Sequence, residues 1–170
     1  MQISQKGWLA LALCAGCQGV LSGPESLELS GPSLVAVRAR ELDRPGLIAM
    51  QLRVAQVSAL QTLGLGARVE HGRLAQWQRE DAFFRKAGGQ VLQVVGNSDG
   101  RTLELAVSTT RAVSTENEQG EAVATLFIAP EGDDGAVHLD LDGAQRGAVL
   151  AGGKRLTLHT LDGRFGAASK

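Results

Sequence analysis

Tyrosine is absent from this chain of 170 residues, and Phe and Trp together supply only 4% of it. Surfaces that grip proteins or sugars lean heavily on Tyr and Trp, so no aromatic binding platform is expected. An excess of either charge is lacking too. The 17 Lys and Arg against 18 Asp and Glu leave a net charge of −1, which gives no field to draw the chain onto nucleic acid or an anionic membrane surface. No apolar run approaches the ~20 residues that a membrane-spanning helix needs. Catalytic motifs are missing as well. "TLGLGARVE" has no further glycine for a dinucleotide loop and no Lys-Ser or Lys-Thr for a phosphate loop, and no G-x-S-x-G elbow occurs. These absences lead to an expectation of no enzymatic activity, no cofactor and no nucleic-acid partner.

What the chain does have is length for one domain and 22 glycines to build tight turns. Much of it alternates. "GLIAMQLRV" puts Ile48, Met50, Leu52 and Val54 on one face and Gln51 and Arg53 on the other. "RTLELAVS", "AVHLDLDG" and "KRLTLHTLDG" alternate in the same way, and "SLVAVRARE" and "EAVATLFIA" are further strand candidates. Period two over five to eight residues is the signature of a half-buried strand. Turn chemistry separates the runs, as at Asp43-Arg44-Pro45-Gly46, Asp99-Gly100, Gly152-Gly153 and Asp162-Gly163. The expected fold is therefore mostly β, an antiparallel β-sandwich. One stretch departs from the alternation. "RLAQWQREDAFFRKAGG" is rich in helix formers, with Leu74, Trp77 and Phe84 able to share a face and Gly88-Gly89 as a stop, so one helix is expected around 73–87. "LRVAQVSALQTLG" fits strand and helix spacing alike.

The two cysteines, Cys14 and Cys17, stand in "WLALALCAGCQ". A thioredoxin-like C-x-x-C needs a strand before it and a helix after it, whereas a charged tip and apolar block precede this one and loop-like "QGVLSGPES" follows. A zinc site needs two more ligands; there is no third Cys, and His71, His138 and His159 are scattered. The stretch instead resembles a bacterial lipoprotein signal peptide, in which a lipobox closes a short apolar block. Ala15, Gly16 and Cys17 match its last three positions; Cys14 stands where Leu is usual. The resemblance implies cleavage after Gly16, lipidation of Cys17, and, with Gln18 in place of Asp, sorting to the outer membrane, where the domain faces the periplasm. On this reading residues 1–16 are the signal, 17–26 a lipidated tether and 27–170 a single domain with no disulfide. Two or three acyl chains anchor a protein firmly where one does not.

One group could hold a cation. In "EGDDGAVHLDLDG" the side chains of His138, Asp140 and Asp142 share a strand face, about 7 Å apart in succession. A calcium-like ion wants six to eight oxygens, and a rigid strand cannot converge three such residues on one centre. The expected reading is a solvated strand and turn with no metal. Arginine is concentrated between Arg38 and Arg85, acidic residues between Glu116 and Asp142, a polarity that can dock a partner. The functional expectation is a lipid-anchored, non-enzymatic binding or assembly component of the envelope with an envelope protein as partner; an envelope hydrolase and a cation-binding module are the alternatives. A small lipoprotein with a sandwich domain also resembles, in architecture alone, the lipoproteins of type VI secretion systems, which implies a place in a secretion or surface apparatus.

Overall fold

The computed structural model of the protein describes residues 29–142 and 146–166. Cys14, Cys17 and the tether expected at 17–26 lie outside the described residues. Within them run β1 (Ser33–Arg38), β2 (Ile48–Ala55), β3 (Leu60–Glu70), β4 (Gly72–Arg79), α1 (Asp81–Phe84), β5 (Val91–Ser98), β6 (Thr102–Val113) and β7 (Glu121–Pro130). They are followed by β8 (Asp134–Asp140), β9 (Gly147–Leu150), β10 (Arg155–Leu156), β11 (His159–Leu161) and β12 (Gly163–Gly166). The first sheet has the order β11-β1-β2-β7-β4, the second β10-β9-β3-β6-β5. β3 is long enough to take β9 along Leu60–Gly64 and then β8 along Gly66–Glu70, and β12 pairs with β8. Among the described residues all strand pairings are antiparallel except that of β1 with β11, which is parallel.

The expected sandwich is thus present, and the alternation explains how it closes. Ile48, Met50, Leu52 and Val54 are buried together with Leu63, Leu65, Val69, Leu103, Leu105 and Val107 from the other sheet. β7 is buried on both sides, from Val123 to Ile128, as a central strand must be. A small second cluster covers the outer face of the first sheet. Ala39, Ala49, Phe127 and Leu47 meet there, and the guanidinium of Arg44 stacks 3.7 Å from the centre of the Phe127 ring.

The helix is shorter than the sequence indicates. It is a single turn, Asp81–Phe84, while the first half of the stretch expected to be helical belongs to strand β4. The cause is a bulge between Leu74 and Gln76 in the pairing with β7. One extra residue moves the inward positions from Leu74 to Trp77, a spacing of three that copies a helical turn. The ambiguous segment 52–64 is two strands joined by a short loop, with no helix.

Candidate binding face

β3 organises the outer face of the second sheet. Leu63, Leu65, Ala67 and Val69 point into the core, so Thr62, Gly64, Gly66, Arg68 and Glu70 point out. Thr62 lies opposite Ser108 and Val149, and Gly64 opposite Ala106 and Gly147. Gly66 lies opposite Glu104 and Asp140, and Arg68 opposite Thr102 and His138. The first two rows are uncharged, with the Thr62 and Ser108 hydroxyls 3.1 Å apart. The next two carry charge.

The Gly66 row is bridged by Arg146. A Cβ on Gly66 would stand 2.9 Å from the Arg146 guanidinium carbon, so the absence of a side chain makes the bed on which that group rests. From there Arg146 donates to Glu104 Oε1 at 2.8 Å and to the Asp142 carbonyl at 3.0 Å, and it pairs with Asp140. The Glu104 bond and the two carboxylates raise the Arg146 pKa against partial burial. Three strands are therefore tied by one cation.

The neighbouring cluster centres on His138. Its Nε2 lies 2.6 Å from Glu70 Oε2 and its Nδ1 2.8 Å from Asp162 Oδ2. The Glu70 hydrogen bond, then that of Asp162, raise the His138 pKa; burial and Arg68 oppose them. Glu70 is lowered chiefly by the same bond. At Asp162 burial pushes upward, but the Leu139 N–H, donating at 2.8 Å, and His138 prevail and the pKa falls.

His138 and Asp140 do share the β8 face, as the sequence indicates, but they serve different partners, Glu70 and Asp162 for one and Arg146 for the other. Asp142 lies beyond the end of β8, its N–H donating to Asp140 Oδ1 at 2.7 Å. Among the described residues no group of three or more His, Cys, Asp or Glu is placed to hold a metal ion. Both nitrogens of His138 are engaged by carboxylates, so it has no free lone pair with which to activate a hydroxyl. Glu70, Glu104, Arg146 and Asp162 carry no signal in the sequence. Each is an ordinary polar position until the register brings it into a row. In the arginine-rich first half Arg38 pairs with Asp43, Arg79 and Arg85 with Asp81, and Arg44 with Phe127 and Gln76.

The two sheets make a β-sandwich whose second sheet carries charged rows on its outer face. No family model matches the sequence, and no curated protein does. Among solved structures the chain is similar to a non-cellulosomal cohesin from the hyperthermophilic archaeon Archaeoglobus fulgidus, with TM-score 0.57 and 10% identity over 82% of this chain and 93% of that one. It is also similar to a chain of the CaDoc0917–CaCohA2 complex, with TM-score 0.61 and 10% identity over 81% of this chain and 99% of that one. The fold is the β-sandwich of the cohesin modules.

Proposed function

We propose that this protein is a non-enzymatic binding module of the bacterial cell envelope, held at the outer membrane by lipid on Cys17 and docking an envelope protein on the outer face of its second sheet. The likeness to a chain that was solved in a two-protein complex carries the binding half of this reading. Ala15-Gly16-Cys17 behind a short apolar block carries the anchor. The face itself supports docking. Ala106 and Gly147, both partly exposed, let a partner backbone approach closely, and the charged rows beside them offer register by electrostatic complementarity.

A photo-cross-linking residue at Thr62 or Ala106 should capture one protein in the native cell. The same residue at Gln51 or Gln78, on the outer face of the first sheet, should capture none. Equal capture from both faces, or from neither, would remove the face from the proposal. The anchor is tested separately by palmitate labelling. Labelling should vanish in Cys17→Ser and persist in Cys14→Ser; labelling that survives in Cys17→Ser sinks the lipidation.

A further inference from the structure

We propose that His138, in its charged form, is a pH-operated latch that holds the C-terminal strand β12 against the second sheet. The geometry requires the charge. Two carboxylate oxygens, one on each ring nitrogen at 2.6 and 2.8 Å, can both be served only by a ring carrying both protons. A neutral imidazole would turn a lone pair toward one of the two carboxylates.

The latch sits at a junction. β11 belongs to the first sheet and β12 to the second, and Asp162 is the single residue between them. Its carboxylate accepts from the Leu139 N–H and meets His138 on β8, and His138 in turn reaches Glu70 on β3. One imidazolium therefore ties the crossing point of the chain to two neighbouring strands. Besides the close approach of Gly163 to the Ala36 carbonyl of β1, the backbone of β12 is held by a short ladder. It is a sheet edge of four residues that, among the described residues, pairs with β8 alone, and edge strands open readily. What it covers matters, because Phe165 is buried in the core and its ring packs on Gly135 of β8.

The charged groups around His138 set the direction of the response. Glu70 and Asp162 favour its proton; Arg68, opposite on β3, works against it, His71 stands 4.0 Å from the other oxygen of Glu70, and Asp140, two residues along β8, is taken up by Arg146. The folded pKa of His138 is raised, so the latch is complete below the ordinary histidine range and is lost as pH rises through the raised value. At the acid end it is lost again, as pH falls through the lowered values of Glu70 and Asp162. The inference needs neither the lipid anchor nor the partner.

The test is amide hydrogen exchange in the full-length protein, corrected for intrinsic rate, across the histidine titration. Between pH 6 and pH 9 the open population of residues 163–166 should rise about tenfold for each unit by which the His138 pKa is higher with β12 closed than with it open, the part that contact with Asp162 supplies, while β2 and β7 stay constant. In His138→Gln the open population should be high throughout and independent of pH. Unchanged protection of 163–166 in the wild type, or the same pH response in His138→Gln, overturns the latch. Should that variant not fold, the wild-type ring resonances decide. The ring of His138 must titrate above the ordinary histidine range, and titration within it overturns the proposal.

Discussion

Phe84→Ala lowers the unfolding free energy by about 3–5 kcal/mol, the cost of emptying a fully buried aromatic site. Phe84 is 1% exposed and belongs to the main core. Its position explains the size of the effect. β4 ends the first sheet and β5 the second, so that side of the sandwich is open between the sheets. The single turn α1 lies in the connection between those two edges and carries two buried rings, Phe83 and Phe84, packed edge to face with centroids 5.3 Å apart. They plug the opening. β4 and β5 do not pair with each other, so no ladder closes the gap between them. Phe84→Leu retains most of the volume and should cost less than about 1.5 kcal/mol. Urea denaturation of both variants checks the pair. A loss below about 1 kcal/mol in Phe84→Ala would mean that the connection is not part of the core. Domains hold only about 5–15 kcal/mol in reserve, so the alanine variant should also accumulate poorly.

Gly120→Ala should cost about 2–5 kcal/mol, and two separable causes add to give it. The first is conformational. Gly120 has φ +79°, a region in which a side chain costs about 1–2 kcal/mol. The second is steric. A Cβ there would stand 2.6 Å from the Val54 carbonyl oxygen and 3.0 Å from the Ala55 Cβ, and neither can retreat from the middle of the first sheet without moving backbone; such overpacking costs about 1–3 kcal/mol. Gly100 provides the control. It has φ +87°, and a Cβ added there would meet nothing within 4 Å, so Gly100→Ala should show the conformational cost alone. Equal losses in the two variants, measured by urea denaturation, would remove the clash at Val54 from the account.

These sites show what could and could not be read from the chain. The strands with clean alternation were legible because one face of each meets the core and the other meets water, as at Ile48–Val54 and Leu103–Val107. β4 was not. A bulge shifts its inward positions to a spacing of three, and as a sheet edge it tolerates the Gln and Arg that suit an exposed helix. The loop between β2 and β3 was hidden for another reason. It turns at Gln56 and Ala59, both with positive φ, and contains no Gly, Pro or Asn. Its amides are satisfied from far away, Val57 by the Thr115 hydroxyl and Ala59 by that of Ser114, each at 3.0 Å. A turn held by partners more than fifty residues distant leaves no local signature. On the outer face of the second sheet the alternation revealed which side chains point outward, but the rows Glu104–Gly66–Asp140 and Arg68–His138 exist only in the register.

The one parallel pairing has a mechanical consequence. β1 and β11 run side by side in the same direction, with Ser33 beside His159, Leu34 beside Thr160 and Val35 beside Leu161. Tension drawn between the N-terminal side of β1 and the C-terminal side of β11 acts along both strands in opposite senses. The rungs of that ladder then bear the load together, in shear, and must break at once. A hairpin pulled from its two free ends would instead unzip one rung at a time. Resistance to pulling is governed by the rate of that first rupture and not by equilibrium stability. Force applied at those two points would therefore load the three rungs of this seam together.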